Sequence, residues 1–334
     1  MSPLHRRTFL HRSAYGLGGL ALASLLDRSL LGRLGGAPAG WNGALTEAHF
    51  PVKAKRVIHL CMAGGPSHLE TFDWKPRLKE LHDQPFPESF TKGQQLAQLQ
   101  NKELKARGAF CNFTRCGRAG LEISDLFPHL QGVADDLCIV RSMQTEQINH
   151  DPAHAFMNSG SIIKGRPSMG SWLLYGLGAE TDNLPGFIVL TSAGKYGLQP
   201  VSARQWSAGF LPSRFQGIQF QSRGDAVHYV GNPPGVGSET QRQVIGAINR
   251  LNEILATDRV DPEIQTRIAQ YEMAFRMQAS VPDLTDFSRE PKEMLELYGV
   301  KEPGDGSFAS NCLLARRLAE RGVRMIQLYH RAWD

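Results

Sequence analysis

Imidazole and carboxylate side chains follow three apolar runs of this chain, each of which has the length of a buried strand. They are His68, Glu70 and Asp73 after residues 56–61, His150, Asp151 and His154 after residues 137–141, and His330 and Asp334 after residues 323–329. In an open parallel sheet, the loops at the carboxyl ends of the strands meet in one crevice, where ligands bind. Nitrogen and oxygen donors of this kind suit Zn²⁺, Mn²⁺ or a harder ion such as Ca²⁺. The sequence therefore predicts a divalent metal site.

The predicted metal ligands are His68, Glu70, Asp73, His150, His154 and Asp334. We expect the first five to lie within about 10 Å of one another. One helical turn separates His150 from His154, and the two share a face if a helix begins at His150. Pro152 suits the first turn of such a helix. Glu70 ranks lowest, since a carboxylate at a helix start also has a purely structural explanation, and a histidine after a strand can be an ordinary loop residue.

The elements that must position these residues alternate between strands and helices. The predicted strands are 56–61, 137–141, 186–190 and 323–329, and the predicted helices are 123–134, 153–158, 169–176, two within 239–277 that end near Pro282, and 311–321. Residues 191–236 have no clear period and are predicted as a loop-rich insertion, before a helical segment over 239–300. This order is typical of an α/β domain with a doubly wound, mainly parallel sheet.

The charge of the chain is concentrated at its start. The 334 residues contain 37 Lys and Arg against 32 Asp and Glu, a net charge of +5, and 41% are hydrophobic, enough for a large core. Residues 1–39 carry +4 of that charge, which leaves +1 for the rest. A nucleic-acid-binding protein should carry its basic surface on the folded domain, so we predict no nucleic-acid partner.

The first 39 residues have the pattern of an export leader. Arg6 and Arg7 precede a short apolar stretch over 14–26 and the cleavage candidate Ala37-Pro-Ala39, and together they resemble a twin-arginine signal. An amphipathic N-terminal helix is the alternative. The resemblance implies that the twin-arginine translocase exports the folded protein to the periplasm or the outside. The apolar stretch is shorter than the about 20 residues that span a bilayer, so no stable membrane span is predicted.

The five cysteines form no metal-binding pattern. Cys61, Cys138 and Cys312 lie in apolar stretches and are predicted core residues, whereas Cys111 and Cys116 in a polar loop could pair after export.

Three motifs carry a family resemblance. They are the run His59-Leu-Cys-Met-Ala-Gly-Gly-Pro-Ser-His-Leu-Glu-Thr-Phe-Asp73, the run Asn149-His-Asp-Pro-Ala-His154, and Gly165-Arg-Pro-Ser-Met-Gly170. With the leader, they resemble the bacterial family catalogued as domain of unknown function 1501, which is related to the alkaline phosphatase and sulfatase superfamily. The resemblance implies a sheet of that superfamily's type and an exported, metal-dependent hydrolase that acts on phosphate or sulfate esters of small molecules or polysaccharides.

The same resemblance implies a catalytic role for two histidines. Sulfatases carry Cys/Ser-x-Pro-x-Arg, and here His150-Asp-Pro-Ala-His154 keeps the proline spacing. His150 stands in the nucleophile position and His154 in the arginine position, a departure that argues against formylglycine chemistry. His150 could be a metal ligand or a nucleophile that forms a phosphohistidine.

Members of that family continue past the motif at which this chain stops, Trp333-Asp334. We therefore expect the domain to be incomplete at its C-terminal end, with 323–329 as a largely apolar strand that should be central but is left uncovered, and the chain to be inactive and marginally stable. Two alternatives remain open. One is a non-catalytic secreted or cell-surface binding protein with the same fold, and the other is a carbohydrate-binding module that uses Trp172, Trp206 and Tyr229 as stacking platforms.

Overall fold

A computed structural model describes residues 41–94, 96, 99, 102–192, 199–227, 231–232, 235–258 and 262–333. The regular elements are β1 (Val57–Met62), α1 (Arg77–Glu80), β2 (Phe113–Cys116), β3 (Leu121–Ser124), α2 (Pro128–Gln131), α3 (His150–Ser159), α4 (Met169–Leu177), β4 (Phe187–Ser192), β5 (Ile218–Phe220), α5 (Ser238–Asp258), α6 (Pro262–Thr285), α7 (Lys292–Tyr298), α8 (Phe308–Glu320) and β6 (Met325–His330). The predicted leader and the predicted ligand Asp334 lie outside the described residues.

The main sheet is parallel, with the strand order β1-β6-β4-β5. The protein is therefore a mixed α/β structure with a mainly parallel four-stranded sheet, as predicted. β6 pairs with β1 from Val57↔Met325 to Met62↔His330 and with β4 on its other side. β6 is central, as its apolar composition predicts. The expectation that it is uncovered is wrong, because it has a strand on each side and Met325 to Tyr329 are buried.

Helices cover both faces of the sheet, because successive side chains of a strand point to opposite sides. Ile326 and Leu328 of β6 pack with Leu314 and Leu318 of α8 in one core cluster. Met325 and Tyr329 belong to a second cluster on the opposite face, with Phe187 of β4 and Leu174 of α4. Each face of β6 therefore has its own apolar core.

The strand edge at β1 is less well covered. Val57, Ile58 and Leu60 are 39–52% exposed. β1 and β5 are the two outer strands of the sheet within the described residues.

The segment before α3 differs from the prediction. The helix expected over 123–134 is replaced by β3 and the short α2, and residues 137–140 form no strand. β3 pairs instead with β2 in an antiparallel hairpin, whose turn contains Gly117 and Gly120, both with positive φ. Leu137 packs against a small separate core of Cys116, Ile123 and Ala134. Leu137 thus packs on this hairpin, and the apolar run at 137–141 does not enter the sheet.

The other predicted elements are close to their expected positions. Strands 56–61 and 186–190 correspond to β1 and β4, and helices 169–176 and 311–321 to α4 and α8. The two helices predicted within 239–277 correspond to α5 and α6, although α6 continues through Pro282 to Thr285. The described part of the chain contains no helix with the length and apolar character that crossing a membrane requires.

Candidate functional site

His150 and His154 lie together at the start of α3. The helix begins at His150, where Asn149 is still extended, and ends at Gly160 in the left-handed region (φ +68°). The two imidazole rings are one turn apart, with ring centroids 6.4 Å from each other. His150 is half-buried and His154 is buried. The spacing therefore gives the shared face that the sequence predicted.

The ring of His154 is held through its Nδ1 atom. Nδ1 lies 3.3 Å from the Pro200 carbonyl oxygen and 3.3 Å from Gln205 Nε2, which itself donates to that carbonyl. Nδ1 can form a hydrogen bond with only one of them, because the Pro200 carbonyl only accepts and needs a proton on Nδ1, whereas the Gln205 NH₂ group only donates and needs a lone pair there. Since Gln205 Nε2 already donates to the Pro200 carbonyl, we assign the Nδ1 proton to the contact with Pro200. Nε2 then keeps its lone pair.

Burial also keeps His154 neutral. Loss of solvent lowers the pKa of its imidazole below the usual value, the Pro200 contact acts in the opposite sense, and the nearby His150 lowers it further. A neutral ring with a free Nε2 lone pair can bind a metal ion, accept a proton or act as a nucleophile.

The residues that hold His154 sit at the carboxyl end of β6. The amide of Ala332, just past that strand, donates to Gln199 Oε1 at 2.7 Å, and Pro200 is the next residue. Arg204, beside Gln205 in a 3₁₀ turn over Ala203–Trp206, forms an ion pair with Asp151 in the first turn of α3. The N-terminal end of α3 is thus fixed at the sheet edge where parallel α/β folds bind ligands.

Asp73 has cationic partners of its own. Its carboxylate accepts a hydrogen bond from Lys75 Nζ at 2.8 Å and lies 3.9 Å from Arg141, which also approaches Glu122 at 3.5 Å. The hydrogen bond from Lys75 is the main reason that the pKa of Asp73 lies below its usual value. This carboxylate forms an ion-pair network beside the hairpin β2–β3.

His68 and Glu70 form the 3₁₀ turn that precedes Asp73. His68 is exposed, and the backbone oxygen of Glu70 accepts a hydrogen bond from the Cys111 thiol at 3.3 Å. Within the described residues, no three His, Cys, Asp or Glu side chains come together as a group that could hold a metal ion. Of the predicted ligands, the structure pairs His150 with His154, and the complete metal site stays a prediction.

His330, at the end of β6, is engaged in aromatic packing. Its ring stacks on Phe308 with centroids 4.6 Å apart, and its Nδ1 accepts a hydrogen bond from Trp333 Nε1 at 3.0 Å. Burial lowers the pKa of this imidazole. These contacts explain the position of His330 without a ligand.

The residues named for a carbohydrate platform do not form one surface. Trp206 is 4% exposed and belongs to the core, Trp172 is 44% exposed, and Tyr229 lies outside the described residues.

All five cysteines are free thiols in the structure, including Cys111 and Cys116. Cys116 is buried and donates to the Thr114 carbonyl, whereas Cys138, a predicted core residue, is exposed.

Sequence reasoning missed three residues that hold the histidine pair: Pro200, Gln205 and Asn158. Asn158 lies one further turn along α3 and donates to the His154 carbonyl at 2.7 Å. Its spacing of four residues from His154 is a signal that could have identified it. Pro200 and Gln205 lie in a region without periodicity and carry no such signal.

Comparison with known proteins gives one match. No curated protein and no solved structure matches the chain. One family model matches residues 54–334, which include β1, the histidine pair and β6. The chain therefore belongs to the family described as protein of unknown function (DUF1501).

Proposed function

We propose that this protein is an exported, metal-dependent hydrolase of phosphate or sulfate esters, with His150 and His154 as its reactive pair. The observation that carries this proposal is the Pro200 carbonyl at 3.3 Å from Nδ1 of the buried His154. Histidine ligands of metal ions commonly donate their second ring N–H to a backbone carbonyl, which fixes the tautomer and the ring orientation. The sulfatase-like type of the fold is part of the same proposal.

The first turn of α3 suits an anionic substrate. Backbone N–H groups at a helix N-terminus are not used within the helix, and the helix dipole favours negative charge there. His150 occupies the first helical position, so its side chain lies beside these groups. A phosphate or sulfate group bound at this end would therefore contact both His150 and the N–H groups of α3.

The side chains that could bind the metal ion favour some ions over others. His150 and His154 offer imidazole nitrogens, which suit Zn²⁺ or Mn²⁺ better than Ca²⁺, an ion that prefers oxygen ligands. A bound divalent ion would polarise the ester oxygens and activate water. Two imidazoles are fewer than the three protein ligands of a typical catalytic zinc site, and Asp334 is the remaining carboxylate that we propose for it.

The test compares the wild-type protein with His150→Ala and His154→Ala, all purified without chelator. The expectation of an inactive chain rested in part on an uncovered last strand, and both faces of β6 are covered. We therefore expect wild-type protein to hydrolyse p-nitrophenyl phosphate or p-nitrophenyl sulfate and to carry stoichiometric zinc or manganese. Each substitution should reduce kcat/KM at least about 100-fold, since it removes a group at the reacting centre. His129→Ala is the matched control, because His129 is an exposed histidine in α2, and it should retain wild-type activity.

The outcome that contradicts the proposal is wild-type protein that hydrolyses neither ester and binds no metal. That outcome would favour the alternative, a non-catalytic exported binding protein with the same fold. Detection of phosphohistidine at residue 150 after a rapid quench would assign His150 as the nucleophile, and its absence from an active enzyme would leave His150 as a ligand.

Export has its own test. Arg6→Lys together with Arg7→Lys should leave the protein in the cytoplasm with residues 1–39 attached, whereas wild-type protein should be recovered outside the cytoplasm without them. Cell fractionation and N-terminal sequencing measure both. Normal export of the double variant would show that the arginine pair is not the signal.

A further inference from the structure

We propose that Asn158 and Gln327 are positioning residues, which orient the histidine pair of α3 against the sheet through a buried chain of hydrogen bonds. The chain runs from His59 in β1 through Gln327 in β6 to Asn158 in α3. This inference rests on the proposed function of His150 and His154 and assigns a role to residues that the function itself does not use.

Asn158 is the junction of this chain. Its side chain is buried, and its Nδ2 donates to the His154 carbonyl at 2.7 Å. Its Oδ1 accepts two hydrogen bonds from β6, one from Gln327 Nε2 and one from the Tyr329 hydroxyl at 3.1 Å. One amide therefore connects the backbone at His154 with two side chains of the central strand.

The direction of each hydrogen bond follows from the His154 carbonyl. Because that oxygen can only accept, Asn158 must turn its NH₂ group towards it and its oxygen towards β6. Gln327 must then present its own NH₂ group to Asn158, and the same group lies 3.3 Å from His59 Nδ1. His59 Nδ1 is thus the acceptor at the far end, and its proton sits on Nε2. Each side chain has a single orientation that satisfies its neighbours.

The buried side chain of Gln327 contributes little to the stability of the fold. It is fully buried in the centre of the sheet, and its Oε1 has no hydrogen-bond partner within the described residues. A buried polar atom without a partner costs free energy that an apolar side chain of similar size would avoid. A buried polar network holds the elements that it joins in one arrangement. Here the arrangement is the placement of α3 on β6.

The consequence lies at the His154 ring. Pro200 and Gln205 hold the ring from the loop side, while Asn158 ties the helix that carries it to β6. If the second connection is lost, α3 can shift while the loop stays in place, and the contact of Nδ1 with the Pro200 carbonyl weakens. Displacement of a reacting group by even about 1 Å reduces turnover strongly.

The test uses Asn158→Leu and Gln327→Leu in the full chain, with Asn311→Leu as the matched control. Asn311 is a buried asparagine on α8, which donates to Ser192 Oγ at 2.9 Å and to Ser222 Oγ at 3.0 Å, so its replacement also removes two buried hydrogen bonds. The readouts are kcat and KM for the ester that wild-type protein hydrolyses, the melting temperature, and the imidazole NMR resonances of His154 in histidine-labelled protein.

We expect the substitutions at Asn158 and Gln327 to lower kcat at least about 10-fold, to change KM less than about 2-fold, and to shift the His154 resonances. Asn311→Leu should lower the melting temperature by a comparable amount but leave kcat and the His154 resonances unchanged. Tyr329→Phe removes only the hydroxyl that donates to Asn158. It should fold even if the leucine variants do not, and should shift the same resonances.

Two results would overturn the proposal. One is a set of His154 resonances that stay at their wild-type positions in every folded variant of Asn158, Gln327 and Tyr329. The other is an Asn311 variant that moves them equally. Because the resonances do not depend on turnover, they decide the positioning role even if wild-type protein hydrolyses neither ester, a result that would count against the proposed function alone.

Discussion

Gly178→Ala should prevent the protein from folding stably. Gly178 ends α4 with φ +71° and ψ −170°, a conformation that essentially only glycine adopts. A Cβ atom there would lie 2.2 Å from the Trp41 carbonyl oxygen and 2.6 Å from the Asn42 carbonyl carbon. Both are backbone atoms, so no side-chain rotation can relieve the overlap. We expect a loss of more than about 4 kcal/mol in the free energy of unfolding, measured by urea denaturation or seen as insoluble expression.

Gly160→Ala is the matched control for this substitution. Gly160 also ends a helix at positive φ (+68°), but no atom lies within 4 Å of the position that its Cβ would take. The expected loss is about 1 kcal/mol, the cost of the left-handed conformation alone. Equal effects at Gly160 and Gly178 would show that backbone conformation, and not the contact with residues 41 and 42, decides the outcome.

The contact at Gly178 exists because an extended segment docks on the end of α4. Trp41 Nε1 and the Ala44 amide both donate to the Tyr175 carbonyl at 2.9 Å, and the Leu45 amide donates to the Gly176 carbonyl at 2.9 Å. These carbonyls belong to the last turn of the helix, where no partner exists within the helix itself. The segment after residue 40 is thus part of the folded domain.

Local patterns were sufficient to predict the strands β1 and β4, because each is a short, mainly apolar run with a turn signal beside it. The same rule failed at 137–141. The run Leu137-Cys-Ile-Val140 has the composition of a buried strand, yet Val140 is 58% exposed and Leu137 packs on the hairpin β2–β3. A short apolar run does not show whether its partner is a sheet or a neighbouring loop. That choice depends on packing that the sequence does not display.

The strands that flank β6 could not be predicted from the sequence. β6 lies between β1 and β4. Its Met325 pairs with Val57, which is near the opposite end of the described chain. Pairing over such a separation leaves no periodic signal in either strand. An apolar composition predicted that β6 is buried but did not show which strands flank it.

The sequence likewise predicted some residues of the candidate site and not others. His150 and His154 were predictable because their spacing is a helical spacing, and Pro152 marked the start of the helix. Pro200 and Gln205 contact His154 from 46 and 51 residues away. Gln205 lies in a 3₁₀ turn and Pro200 just before it, in a region without periodicity. The groups that determine the tautomer of His154 therefore became visible only with the fold.

Glu290→Ala should produce the second large loss of stability, about 3 kcal/mol in the free energy of unfolding. The Glu290 side chain, 10% exposed, accepts hydrogen bonds from Arg316 at 2.6 Å and from Arg317 at 2.8 Å. Both arginines lie on α8, and Arg317 also donates to the Asp283 carbonyl of α6 at 2.8 Å. Removal of the carboxylate leaves the buried Arg317 guanidinium without its counter-ion, which costs more than the pair contributes. Urea denaturation at pH 7 measures the difference.

Glu296→Ala is the control for loss of charge alone. Glu296 pairs with Lys292 at 3.5 Å, with the two side chains 67% and 85% exposed, so its removal should change stability by less than about 0.5 kcal/mol. If the two alanine variants lose equal stability, the Glu290 pair contributes no more than an ordinary surface contact.

The contribution of Glu290 to the free energy of unfolding should also depend on pH, in a direction that follows from its pKa. Burial by itself would raise the pKa of the Glu290 carboxyl, but the hydrogen bonds and charges of Arg316 and Arg317 outweigh it, so the pKa lies below its usual value. A group with a lower pKa in the folded chain contributes fully above its unfolded-state pKa of about 4.3 and loses that contribution as the pH falls through the folded-state value. The difference in the free energy of unfolding between wild-type and Glu290→Ala protein should therefore be constant from pH 6 to pH 7, a range more than about one unit above the unfolded-state pKa. It should shrink as the pH falls below that pKa. A difference that grows on acidification would contradict the prediction, because it would mean that the fold destabilises the ionised carboxylate despite Arg316 and Arg317.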